Sequence, residues 1–235
     1  MITTRFAVPL PHAPALPLAS LALLQTGLFL IPMIVLGQAI GWPGSLRLPA
    51  AEALPLIAEN ALAVQIGYWA YLLTSLAFLP LALAFRSFLA ERGAGGALSD
   101  TAAALGVAVA VFKMLGIVRW LSAMPSLAQL YVGNVDPVVR AAVEVAYTAL
   151  NGYAGAVGEL LGVQLVSGLW LIFAGLLLGR IGAAWTGLSG ILIGSVFLAT
   201  CLRTIEPSFA ALQSVAVPLA LAWFPAFALA VWKRG

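Results

Sequence analysis

The residues able to do chemistry in this chain are few, and they sit where charge is expensive. Lys113 and Arg119 lie in "KMLGIVRWLSAMP" (113–125), and Glu159 lies in "NGYAGAVGELLG" (151–162), both within otherwise apolar stretches. Two cations and one carboxylate in such a setting have three uses. They lock two helices as a buried ion pair, they hold an anionic ligand or line an ion path, or they exchange protons with a substrate. All three readings stay open at this point. Gln38, Gln65 and Tyr68 are polar groups at similar depth and join the candidate set.

The usual catalytic and metal-binding patterns are missing. With one histidine, His12, and one cysteine, Cys201, the chain has no intramolecular disulfide and no paired histidines for a haem or metal triad. His12 lies on a proline-rich tail and reads as solvated, and Cys201 reads as a small apolar filler. "GAGG" (93–96) lacks the Gly-Lys-Ser/Thr of a phosphate loop and reads as a hinge. No Ser-His pair, His-Glu-x-x-His motif or paired carboxylate set occurs, so no metal ligands, catalytic residues or cofactors are expected.

The elements that position these residues follow from composition. The 235 residues are 63% hydrophobic and 8% charged, with mean hydropathy +1.08. Soluble domains carry roughly a quarter charged residues, so an all-α integral membrane protein is expected. A net charge of +3, scattered and not interleaved with aromatics, excludes a nucleic-acid partner. Membrane lipids are the expected surroundings. A small anionic or amphipathic ligand and a membrane protein partner are both compatible with the charges.

Hydropathy predicts six transmembrane helices over 16–40, 61–85, 101–124, 153–178, 186–202 and 212–232, in a single integral membrane domain covering 1–235. The first is read as a retained span and not a cleaved signal. A short surface helix is expected within 41–60. Asp136-Pro137 is an N-cap followed by proline at the first helical position. Arg140, Glu144 and Thr148 recur from there, predicting an amphipathic outer-side helix between spans three and four. Trp69, Trp120, Trp170, Trp185 and Trp232 fit aromatic belts near helix ends. Gly190 and Gly194 form a packing face of the fifth span, either internal or toward another subunit.

Six spans place both termini on one side. Arg5, Arg86, Arg92, Arg180, Lys233 and Arg234 fall on that side, against Arg47, Arg140 and Arg203 on the other. The positive-inside rule makes the terminal side cytoplasmic.

Depth then constrains the charges. Lys113 lies about 15 Å from the outer end of its helix at 1.5 Å per residue. An unpaired charge at the bilayer centre costs at least ~2.5–3.5 kcal/mol. Lys113 therefore faces protein or water, and is either paired or neutral. Arg119 lies about one turn from the outer end. Glu159, the only acid in any predicted span, is the expected partner of both cations. Gly155, Gly158 and Gly162 permit close helix approach there. Arg203 and Glu206 read as interfacial, and Gln38 and Gln65 as helix-end groups. The sum is a polar cavity or packed network opening outward. With all three central groups ionised, a surplus positive charge remains for an anionic ligand or lipid phosphate to balance.

Three stretches, "GIVRWLSAMPSLAQLY" (116–131), "NGYAGAVGELLG" (151–162) and "FPAFALAVWKRG" (224–235), resemble a bacterial multi-pass membrane family known only as domain of unknown function 4386. The order, the spacing and the six-span layout cover most of the chain. Arg119 stands where that family tends to have an arginine, and Glu159 stands at its Gly-Glu step. Many relatives follow the glutamate with a histidine, whereas this chain has Leu160, so any proton-transfer or metal role of that histidine is missing here. The resemblance implies the fold, a bacterial cytoplasmic membrane location and the choice of residues, but no activity. The expected function is non-enzymatic: binding a lipid-like or anionic ligand from the outer side, or serving as an accessory membrane subunit. A small-molecule or ion transporter is the alternative, followed by a membrane enzyme acting on lipid-like substrates.

Overall fold

A computed structural model describes residues 15–234. Arg5, His12 and the start of the proline-rich tail lie outside the described residues. The fold is all helical. Its α-helices are α1 (Ala15–Ile40), α2 (Ala50–Glu59), α3 (Ala61–Glu91), α4 (Ala97–Leu121), α5 (Ala123–Val132), α6 (Pro137–Gly155), α7 (Ser167–Arg180), α8 (Ala184–Thr200) and α9 (Gln213–Trp232). A π-helical segment, Ala156–Val166, joins α6 to α7, and 3-10 turns at Cys201–Thr204 and Pro207–Leu212 join α8 to α9.

Six helical runs among the described residues are long and apolar enough to cross a membrane: Ala15–Ile40, Ala61–Glu91, Ala97–Val132, Pro137–Arg180, Ala184–Thr204 and Pro207–Trp232. Such runs are stable in lipid because a helix satisfies its own backbone hydrogen bonds. The chain is a multi-pass membrane protein. Each span packs against its neighbours in sequence, and α9 closes on α1, so the six form a ring.

Each of these six runs contains one of the expected apolar segments and extends beyond it. The second runs on to Glu91, carrying Arg86 inside the helix, where it pairs with Asp100 at 2.6 Å on the exposed surface. The amphipathic helix expected between spans three and four is not a separate element. Asp136 does cap it, accepting from the Val138 amide at 2.9 Å, with Pro137 following. From there the backbone stays helical through the π segment into α7, so the polar stretch is the first part of the fourth span. The short helix expected within 41–60 is α2. It packs on α5 and α6 and buries Ala50, Ala53, Leu54 and Ile57.

Two apolar cores result. One, at the face that holds Ala15 and the end of α9 (the proximal face), is built around Phe85, Trp170, Trp223 and Phe227. The other, at the opposite (distal) face, joins α2, α5 and α6 to the ends of α1, α3 and α4 around Leu54, Tyr68, Trp120 and Tyr147. Trp120 and Trp170 are thus core residues and not belt residues, whereas Trp69, Trp185 and Trp232 are exposed. The glycine face of α8 is internal: Gly194 lies against Gly168 of α7, and Gly190 lies against the Trp223 ring. At the proximal face the Arg92 guanidinium donates to the Arg234 carbonyl at 2.6 Å, and Arg234 donates to the Ile181 carbonyl at 3.0 Å. Those bonds tie the chain end to two inter-helix turns.

Candidate functional site

A cavity of about 550 Å³ lies inside the ring and takes lining residues from all six spans and from both cores. That volume is in the range of small-ligand sites. Its distal end is covered by the segment after α1, through Trp42, Leu46 and Arg47. Tyr68, Lys113, Arg119 and Glu159 of the expected set line it. Gln38 is exposed, Gln65 is half-buried, and neither reaches the cavity. Both remain helix-end polar groups.

The expected pairing around Glu159 is corrected by the structure. Its partner is Arg203, whose Nη2 lies 2.9 Å from Glu159 Oε2. Arg203 had read as interfacial because it stands at the end of its span. The 3-10 turn after α8 instead turns it back over the bundle. The other carboxylate oxygen, Oε1, accepts from Gln213 Nε2 at 2.9 Å. Gln213 Oε1 accepts in turn from Gln164 Nε2 at 2.7 Å and from Arg203 Nη1 at 3.4 Å. Both oxygens of Glu159 are therefore engaged, and spans four, five and six are tied together near the distal end.

Sequence reading missed Gln164 and Gln213. A lone glutamine in an apolar span was the available signal, since a buried amide needs a partner. The geometry was not legible. In an α-helix each residue advances about 100°, so Glu159 and Gln164 point to different faces. The π-helical winding, bonded from i to i+5, stacks them. Both then reach Gln213.

Arg119 makes a different set of contacts. Its guanidinium donates to Asn151 Oδ1 at 3.3 and 3.4 Å and to the Gly116 carbonyl. Asn151 Nδ2 donates to the Leu46 carbonyl at 3.0 Å, so one side chain links Arg119 to the segment over the cavity. Glu159 acts on Arg119 only at longer range. The close approach that brings α4 to the fourth span is made by glycines. A Cβ on Gly158 would lie 2.8 Å from the Gly116 Cα, so backbone meets backbone there.

Lys113 has neither a hydrogen bond nor an ion pair among the described residues, and its ammonium lies 5.3 Å from the centroid of the Tyr71 ring. That is a cation–π contact, which compensates a charge only in part. Tyr68 stacks on Trp120 at 4.7 Å between centroids, and its hydroxyl is buried without a partner among the described residues. Gln25, Trp42 and Trp170, which also line the cavity, each carry a buried N–H group lacking an acceptor. No group of three or more His, Cys, Asp and Glu side chains comes together among the described residues.

Chemically, the cavity is rich in donors and poor in acceptors. Its one lining carboxylate is neutralised from outside the cavity by Arg203. Lys113 and Arg119 face the space with no carboxylate at ion-pair distance among the described residues, and Arg47 also lines it. The surplus is two cations at the centre, one more than the expected Arg119–Glu159 pairing left.

The sequence profile of a family described as Domain of unknown function (DUF4386) matches residues 24–232. No curated protein and no solved structure matches the chain.

Proposed function

The chain belongs to the family described as Domain of unknown function (DUF4386), and from that premise we propose that it is a membrane protein that binds an anionic or amphipathic small ligand in its central cavity without transforming it. One observation carries this reading. Lys113 and Arg119 both line a cavity of about 550 Å³, and among the described residues neither has a carboxylate at ion-pair distance, because Glu159 is taken by Arg203. An uncompensated charge at the bilayer centre costs at least ~2.5–3.5 kcal/mol on insertion scales, and Lys113 is the deeper of the two. An anion bound between them offsets that cost, and the unpartnered Trp42 N–H and Tyr68 O–H at the distal end favour acceptor oxygens on the ligand there.

In this reading the protein sits in a bacterial cytoplasmic membrane as one integral domain, with both termini in the cytoplasm and the covered, polar end of the cavity toward the outer side. The excess of Lys and Arg on the terminal side supports that orientation. The distal position of Arg47, Arg119 and Glu159 supports an approach from the outer side.

The test is native mass spectrometry of protein extracted gently from its own membrane, with identification of retained lipids and metabolites. A retained anionic molecule that is lost in Arg119→Ala is the expected result. A bare protein whose thermal stability does not change on adding lipid extract overturns the reading and directs attention to a protein partner.

A further inference from the structure

The lining of the cavity changes character along its axis. At the distal end it presents Arg47, Arg119, Glu159 and Gln213, and Lys113 lies below them. Beyond Lys113 the surface is mainly apolar, formed by Phe78, Val109, Trp170, Leu221 and Phe224, with Gln25 and Ser167 as polar exceptions. Trp170 is fixed there by edge contact with Phe78 at 4.8 Å and by stacking near Phe224 at 6.4 Å between centroids. From the Tyr68 layer to the Phe78 layer, α3 descends about 15 Å at 1.5 Å per residue. The cavity is therefore elongated, cationic at one end and aromatic at the other.

Volume limits what fits. At about 30 Å³ for each water-sized group, a cavity of about 550 Å³ holds roughly 18 of them. One alkyl chain of moderate length with a small headgroup fills that space, and a lipid with two full acyl chains does not fit inside it. Glu159 would repel an acidic headgroup, but both its oxygens are held by Arg203 and Gln213.

We infer that the ligand is a single-chain amphiphile, its acidic headgroup held between Lys113 and Arg119 and its hydrocarbon tail lying on the Phe78–Trp170–Phe224 floor. This inference rests on the ligand reading above and adds the class and the direction of binding. The headgroup chemistry is a compact oxyanion, either carboxylate or phosphate monoester. Lys113 supplies a point charge, and Arg119 supplies a planar set of donors. The floor supplies apolar contact at about 25 cal/mol per Å² buried.

The experiment uses the full chain in nanodiscs of phosphatidylcholine, with empty nanodiscs as the blank. Radiolabelled dodecanoate retained by the protein is competed with unlabelled dodecanoate, dodecanol, dodecyl phosphate, octanoate and stearate. Dodecanoate is expected to compete about tenfold better than dodecanol, equivalent to about 1.4 kcal/mol. The comparison with dodecyl phosphate separates a carboxylate ligand from a phosphate one. Lys113→Met removes the preference for acid over alcohol, and Lys113→Arg keeps it. Leu221→Trp, which fills the floor, shifts the preference toward octanoate and leaves the acid-to-alcohol ratio unchanged. Equal competition by dodecanol, or an equal loss at every chain length in Leu221→Trp, overturns the proposal. Retention of a two-chain lipid or of inorganic phosphate without dodecanoate overturns the single-chain class and leaves the ligand cavity standing. A protein that retains nothing in either experiment overturns both.

Discussion

Glu159 and Arg203 meet at 2.9 Å although they lie 44 residues apart, one in the π-helical segment and the other in the turn after α8. The pair is partly buried, with side-chain exposures of 27% for Glu159 and 19% for Arg203. Removing one member leaves the other poorly solvated. Arg203→Ala is expected to lower stability by about 1–3 kcal/mol. The double variant Glu159→Leu with Arg203→Met should lose less than the sum of its single changes. Arg119→Ala should show no such coupling to Glu159→Leu. Thermal unfolding of the purified variants measures both cycles, and strong coupling of Arg119 to Glu159 would contradict the described geometry.

Gly116 and Gly158 form the contact that seats α4 on the fourth span. A methyl group on Gly158 would stand 2.8 Å from the backbone of Gly116, which cannot withdraw as a flexible side chain would. Gly158→Ala should therefore destabilise by about 1–3 kcal/mol through overpacking. Gly152→Ala, where a methyl group meets open space, serves as the control. Melting temperatures of the two variants decide the point.

Lys113 separates binding from folding. Its stem lies against Gly162 and its ammonium near the Tyr71 ring, so Lys113 makes no polar contact among the described residues whose loss would cost much. Lys113→Met keeps most of the flexible stem, one atom shorter, and removes a poorly compensated charge, so the melting temperature should hold or rise. Retention of the co-extracted ligand should fall. A marked drop in melting temperature would show that Lys113 has a structural partner.

Topology is testable with one exposed cysteine at a time in a Cys201→Ser background. Val135, between α5 and α6 at the distal face, is 91% exposed. Val135→Cys should react with a membrane-impermeant maleimide on intact cells. Lys233→Cys should react only after permeabilisation. The reverse pattern would place the cavity's distal end in the cytoplasm.

Much of the fold was legible because each span is a long apolar run and lipid offers the backbone no other partner. Asp136-Pro137 marked a helix start for a local reason, a side-chain oxygen satisfying an end N–H. The depth of Lys113, and so its need for compensation, followed from counting residues along one helix. The continuity of the fourth span was not legible. Arg140, Glu144 and Thr148 suggested a helix lying flat, whereas contact with α2 and α5 lets that polar turn stand upright as an extension of the span.

The partner of Glu159 lay furthest from what linear spacing can give. Hydropathy places Glu159, Arg119 and Arg203 all near the distal ends of their spans, and three such ends are equivalent until the helices are packed. Closure of the ring brings the turn after α8 over the fourth span, and π winding sets Glu159 and Gln164 on one face, where both reach Gln213. Arg119 is drawn away by Asn151 and left facing the cavity with Lys113. Apolar length alone settles which segments cross the membrane, because backbone hydrogen bonding is local. Which charges are compensated is settled by distances of a few ångströms between segments far apart in the chain, and those exist only once the helices are packed.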